Sequence, residues 1–337
     1  MRWKRLAAIA LVALVFTPTT FLRDAADDPD LSDVRRTVLA APQPADWPET
    51  LTLVGAWQFD SRNPRFGGFS ALALRGKTIL AWTDRGDLVR LSDPRQENFS
   101  AAFLPLPPSP AFAYLQDIES AVSDAAGETY WFGHENPVAI RRLATDGEEA
   151  VIRPAAMRDW HDNAGLEAFA RLPDGRFLGL AERDNLGVLF AGDPLSSGEL
   201  DVFILPLKDG WKPSDMTVLP DGRVLVLLRQ VSRKWPPFAS MLAIGDPASI
   251  VPGMGWRLEP LAVLADHPLV ENYEGVAVAE DGPGTLTIYL ISDDNMSTLQ
   301  RSLLLELRWE GWRNADTKTA PQAMPEAPEI PSAKRLD

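Results

Sequence analysis

The sequence predicts an all-β fold, a single β-propeller with five four-stranded blades, and three observations lead there. A short apolar strand that opens on a small or acidic residue recurs at Ser70, Glu119, Glu167, Asp215 and Glu274, so successive anchors stand 48 or 49 residues apart until the last, which stands 59 on. A period in this range belongs to radial β architectures. Each opening strand is followed by a hairpin, clearest at Pro173-Asp174-Gly175-Arg176 and Pro220-Asp221-Gly222-Arg223, where turn residues separate two alternating runs. Helical periodicity is weak throughout.

The elements follow in order. Leu51 to Phe59 is a strand without a hairpin of its own, ahead of the first blade. Blade 1 runs from Ser70 to a polar close at Thr83-Asp84-Arg85, blade 2 from Glu119 to His134-Glu135-Asn136, and blade 3 from Glu167 to Glu182-Arg183-Asp184. Blade 3 then offers two more strand-like runs, Gly187 to Ala191 and Asp201 to Leu205, which completes a four-stranded unit. Blade 4 runs from Asp215 to Leu227-Leu228-Arg229 and closes on a base where the others close on an acid. Blade 5 opens at Glu274, closes its hairpin on Asp293-Asp294-Asn295, and ends after a third strand, Ser302 to Trp309. Pairing that strand with Leu51 to Phe59 would close the ring. A sixth, degenerate blade within the insertion between Arg229 and Asp266 is the alternative.

A single core over residues 51–312 is expected, because the repeat runs without a linker and 45% of the chain is hydrophobic. Most of the 11 Trp read as blade packing. At the amino end, residues 1–22 read as a secretory signal: Arg2, Lys4 and Arg5 precede the apolar run from Leu6 to Phe16. Phe21 and Leu22 lengthen the apolar stretch toward spanning length, so a retained membrane anchor is the second reading. Residues 23–50 read as an unstructured linker and 313–337 as an unstructured tail. There is no Cys, hence no disulfide framework and no lipidated cysteine. A net charge of −14 excludes the phosphate-neutralising mode of nucleic-acid binding and permits cation binding.

In a blade, the start of the innermost strand and the end of the second lie at the same mouth of the disc. That gathers Glu119, Glu167, Asp215 and Glu274 with Asp84, Glu135, Glu182, Asp293 and Asp294. Like charges in a partly desolvated funnel raise one another's pKa and require compensation. Arg85, Arg183 and Arg229 are candidates, and a hard oxygen-binding ion such as calcium is the other. Against this stands the structural use of such acids as turn caps or ties between blades. His134, His161 and His267 lack zinc-binding spacing. His134 alone falls in a repeat motif, where it reads as a general base, a metal neighbour or a core histidine. Gly68-Phe69-Ser70-Ala71-Leu72 lacks the second glycine of a nucleophile elbow, so Ser70 reads as a small residue at a crowded mouth.

The ordered set GGFSALAL then TDRG, DIESAV then WFGHEN, NAGLEAFARLPDG then LAERD, and NYEGVAV then LISDDN resembles the phytase-like, "esterase-like activity of phytase" family of exported bacterial proteins. The resemblance covers about residues 51 to 309 and implies hydrolysis of phosphate or carboxylic esters at a metal-lined acidic mouth. Propeller phytases are six-bladed discs, whereas five blades are counted here; the string Asp24 to Pro29 resembles a phytase-like acidic motif but lies beside the leader, outside the blades, and reads as chance. The implied site has catalytic Glu167, Glu119, His134 and Glu182. Arg85, Arg183, Asn136 and Arg229 would bind substrate, and Glu119, Glu167, Glu274, Asp293 and Asp84 would hold calcium. The implied setting is the periplasm or cell envelope of a bacterium, with an inner-membrane tether if the amino-terminal segment is retained. A non-catalytic envelope propeller that binds a small ligand or a protein partner is the alternative function.

Overall fold

In this computed structural model the described residues are 33–314, apart from 108–116, 136, 158–159, 161–164, 184, 198, 209 and 233–236. The signal or anchor segment, Asn136, His161, Asp184 and the tail from 315 onward lie outside the described residues. Strands β1 (Val34–Val38) and β2 (Leu51–Ser61) precede the first blade. Blade 1 is β3 (Phe69–Arg75), β4 (Thr78–Thr83), β5 (Asp87–Leu91) and β6 (Ala101–Pro105); blade 2 is β7 (Ile118–Ser123), β8 (Thr129–His134), β9 (Ala139–Ala144) and β10 (Glu149–Ile152). Blade 3 is β11 (Leu166–Arg171), β12 (Phe177–Ala181), β13 (Leu186–Phe190) and β14 (Leu200–Ile204), and blade 4 is β15 (Lys212–Val218), β16 (Val224–Val231), β17 (Phe238–Gly245) and β18 (Glu259–Leu264). Blade 5 combines β19 (Asn272–Glu280), β20 (Thr285–Asp293) and β21 (Ser302–Glu310) with β2 and β1, in the order β1-β2-β21-β20-β19. The protein is a five-bladed β-propeller, as the repeat predicts.

The two Pro-Asp-Gly-Arg turns form as their chemistry requires. Gly175 and Gly222 take φ of 90° and 89°, and the Asp174 and Asp221 carboxylates accept the Arg176 and Arg223 backbone N–H groups, each at 3.0 Å. Ring closure is the antiparallel pairing of β2 with β21, from Leu51 opposite Trp309 to Phe59 opposite Ser302. The expected linker is corrected in part, because Val34–Val38 forms a fifth strand on the outer edge of β2. Its short Val-Arg-Arg-Thr-Val run has little apolar signal because an edge strand gains chiefly backbone hydrogen bonds. Beyond it Trp47 donates its indole N–H to the Val263 carbonyl of blade 4 at 2.7 Å. The insertion after Arg229 adds no blade among the described residues. Its chain instead completes blade 4, and residues 246–258 return to β14, where Trp256 N–H donates to Ile204 at 2.8 Å and the indole packs on Phe203.

Five apolar clusters hold the ring, one between each pair of neighbouring blades. Trp82, Trp256, Trp309 and Trp312 are fully buried in or beside these seams, the packing role their composition suggests.

Every innermost strand carries a β-bulge near its start. The register shifts between Phe69 and Ala71, Ile118 and Ser120, Leu166 and Ala168, Pro213 and Asp215, and Tyr273 and Gly275. The unpaired residues are therefore Ser70, Glu119, Glu167, Ser214 and Glu274, and a bulge re-aims the side chain that carries it. This moves the blade 4 anchor by one residue, from Asp215 to Ser214. A slip of one residue in a strand reverses the side chain's direction. Asp215 is buried within the disc: its carboxylate accepts Met216 N–H at 2.8 Å and, from blade 5, Val276 N–H at 2.7 Å, with Leu72 of blade 1 as a further backbone partner. It ties three blades together. Burial raises its pKa well above the usual carboxylate range, against the backbone hydrogen bonds. Asp215→Ala should lower unfolding free energy by about 3 kcal/mol, the cost of leaving buried donors unpaired, in urea denaturation; a loss below about 1 kcal/mol would contradict the tie.

Candidate functional site

Three positions per blade converge on one mouth. The first is the bulge position described above. The second lies at or near the mouth end of the second strand and holds Asp84, Glu135, Glu182, Arg229 and Asp293 in blades 1 to 5. The third lies two residues before the bulge and holds Gly68, Asp117, Gly165, Lys212 and Asn272, which meet the second position across the hairpin. Apart from Ser214, Gly165, Lys212 and Asn272, these residues line a cavity of about 330 Å³ that includes eight carboxylates and the guanidinium groups of Arg183 and Arg229.

Arg229 takes the position that is acidic in the other four blades, and its contacts explain the exchange. Its Nη2 lies 2.9 Å from Glu182 Oε1 of blade 3 and its Nη1 lies 2.7 Å from Glu274 Oε1 of blade 5. The Asn272 amide also donates to Glu274 Oε1 at 2.8 Å, while Lys212 and Arg183 reach Glu182 at 3.0 and 3.3 Å. Burial pushes Glu182 up, but the Lys212 hydrogen bond and the surrounding positive charges outweigh it, so its pKa lies below the usual value. The charge of Glu274, then those of Glu167 and Glu182, hold Arg229 firmly protonated against burial. Glu274 remains raised because its own burial exceeds the help it receives from Arg229.

The opposite side is richer in acid, and Arg183 acts on Glu135 there only as a minor lowering charge. Asp117, Glu119 and Glu135 each place a carboxylate oxygen within 4.8 Å of the others. Burial, then the charges of Glu167 and Asp117, raises Glu119 well above the glutamate range, and burial followed by Asp117 raises Glu135 to about 7. Gly165 keeps this space open, since a Cβ there would stand 3.1 Å from Glu135 Cβ and 3.2 Å from Glu119 Cγ. Gly68, at φ +64°, likewise makes room for Asp84, whose Oδ1 would lie 2.5 Å from an added Cβ. Three clustered carboxylates form a donor set suited to a hard cation such as calcium.

The structure brings Asp84, Glu119, Glu167, Glu182, Arg183, Arg229, Glu274 and Asp293 to the cavity. It does not bring His134. That ring shares its strand face with Tyr130 and Phe132, is fully buried, and is pulled to a pKa of about 4 by burial and then by Arg141, so it is removed from the catalytic set. Arg85 also falls outside the lining, because its Nη1 donates to the Pro64 carbonyl at 2.9 Å. Asp294 is an internal acceptor for Met296 N–H and the Ser302 hydroxyl at 3.0 and 2.6 Å. Glu274 pairs with Arg229, whereas the charge of Glu167 acts on both Arg229 and Glu119 and so links the two groups. Sequence reasoning missed Asp117 and Lys212; their signal was the constant offset of two residues before the bulge.

The fold and mouth define a five-bladed propeller with a carboxylate-rich central cavity. The family model described as "Esterase-like activity of phytase" matches residues 64–296, and the chain belongs to this phytase-like family. Among solved structures it is similar to virginiamycin B lyase from Staphylococcus aureus, at 10% identity and a TM-score of 0.39, with 82% of this chain and 99% of that chain covered. It is also similar to a chain of the mitotic checkpoint complex, at 11% identity and a TM-score of 0.39, covering 85% of this chain and 77% of the other. The Cps50 (Swd1) β-propeller domain of Myceliophteria thermophila gives 8% identity, a TM-score of 0.38, and coverage of 85% and 98%. No curated protein matches the chain.

Asp84, raised by burial to about 6 despite Arg85, and Glu135, at about 7, set a pH dependence. A carboxyl raised on folding binds its proton more tightly in the folded chain, so its stabilising effect is full below about pH 4 and is lost as pH rises through the folded values. In chelator, these two groups should therefore make the thermal midpoint fall between pH 5 and 8, roughly through the window their values set. A midpoint that rises across that window would contradict the raised values of these two groups.

Proposed function

We propose that the chain is an exported ester hydrolase, acting on a phosphate or carboxylic ester at the acidic mouth with the assistance of calcium. The observation that carries this reading is the convergence of raised, buried carboxylates on an open cavity in a phytase-like chain. Asp117, Glu119 and Glu135 would hold the cation. Bound there, calcium would supply Lewis-acid polarisation of the ester and activation of water.

The remaining chemistry belongs to side chains. Glu167 is buried and lines the cavity; burial and then the charge of Glu274 raise its pKa well above the usual glutamate range, which favours its protonated form. A carboxyl held in that state donates to a leaving alkoxide as a general acid. Arg229 fixes the positions of Glu182 and Glu274, while the half-exposed Arg183 lies at the same lining. The basic amino-terminal residues and the apolar run from Leu6 to Phe16 support export to the periplasm or envelope of a bacterium, with release or tethering set by whether that segment is cleaved.

Hydrolysis of a panel of phosphomonoesters, phytate and carboxylic esters, with calcium and with chelator, tests the proposal. Turnover should require calcium, and Glu167→Gln should reduce kcat about 100-fold or more while retaining the thermal midpoint. Absence of turnover across the panel in folded, calcium-supplied protein would overturn the hydrolase reading in favour of a binding platform.

A further inference from the structure

Three of the five bulge positions carry glutamates and two carry serines. The serines differ in their surroundings. Ser214 donates its hydroxyl to the Tyr273 carbonyl of blade 5 at 3.1 Å, a link between blades. Ser70 is 6% exposed, lines the cavity, and its Oγ has no hydrogen-bond partner. On the same blade, Asp84 Oδ1 is buried and makes no hydrogen bond; Arg85 Nε stands 3.9 Å away while that guanidinium is held by Pro64. Blade 1 therefore presents to the cavity a carboxylate oxygen that lacks a donor and a hydroxyl that lacks any partner.

The cations on the facing wall are already engaged. Both lining guanidinium groups are ion-paired, Arg229 with Glu182 and Glu274 and Arg183 with Glu182, and Lys212 also pairs with Glu182. An entering phosphate dianion would meet the half-exposed Arg183, already paired through Nε to Glu182, among eight lining carboxylates. A divalent ion held by Asp117, Glu119 and Glu135 would leave the sign at its own ligands unchanged, since three ionised carboxylates exceed its charge.

We propose that Ser70 and Asp84 bind a positively charged, hydrogen-bond-donating group, so that the substrate class is a small carboxylic ester bearing an ammonium group and not a phosphomonoester. This assignment rests on the ester-hydrolase reading and narrows it. An ammonium has three donors and no acceptor, so one group can serve both the Asp84 carboxylate oxygen and the lone pairs of the Ser70 hydroxyl. The cavity of about 330 Å³ sets a small ligand.

Calorimetry on the full chain in calcium-containing buffer at neutral pH tests this with alaninamide, propionamide and methyl phosphate, none of which is an ester of the proposed class. Alaninamide should bind about tenfold more tightly than propionamide, its counterpart without the amine, and methyl phosphate should not compete. Ser70→Ala should weaken alaninamide binding about tenfold with an unchanged thermal midpoint. Equal binding of the two amides, or tighter binding of methyl phosphate, would overturn the proposal in the unmodified protein whatever the variant does. Ester turnover without preference for an ammonium would overturn this assignment alone, whereas alaninamide preference without turnover on any ester would uphold the subsite and contradict the hydrolase reading.

Discussion

One unpaired residue at the start of each inner strand shapes the mouth. In a regular ladder, alternation would direct Glu119, Glu167 and Glu274 toward the seams between blades, where an unpaired charge is costly. The bulge releases each from the ladder and turns it to the central cavity. The next residue then resumes the strand, which is why Asp215 is an internal tie while its neighbour Ser214 holds the bulge. The apolar seams stabilise the ring, and the bulges let polar groups gather at its axis without entering those seams.

Gathering them creates the second constraint. Four of the five positions near the end of the second strand place an acid at the mouth, and the fifth places Arg229 between one of these acids, Glu182, and the bulge residue Glu274. Glu182, with Lys212, Arg229 and Arg183 around it, stays below the usual glutamate value, whereas Glu119 and Glu135 are raised by burial and neighbouring acids. The same repeat thus yields a neutralised wall and a carboxylate cluster, and Arg229 together with Lys212 accounts for much of the difference.

Much of this was legible in the sequence because propeller repeats join period and turn chemistry. The Pro-Asp-Gly-Arg turns, the spacing of the anchors and the solitary strand at Leu51 led to the hairpins, the blades and the closure. The phase of a bulge is less visible: Pro213-Ser214-Asp215 offers two polar residues, and acidity favoured the wrong one. His134 stood beside a true mouth residue, Glu135, but one step along a strand was enough to bury it. The edge strand at Val34 escaped notice because pairing with β2 depends on backbone groups that any sequence supplies. Arg229 was conspicuous as the break in the acidic pattern, although its engagement with two neighbouring blades required coordinates to see.

The most direct measurement is anomalous diffraction from crystals of the protein grown with calcium and then exchanged with a lanthanide. The account predicts a peak bounded by the carboxylates of Asp117, Glu119 and Glu135, with Arg229 still paired to Glu182 and Glu274. A peak between Glu167 and Glu274 with Arg229 displaced, or no peak at the mouth, would contradict it.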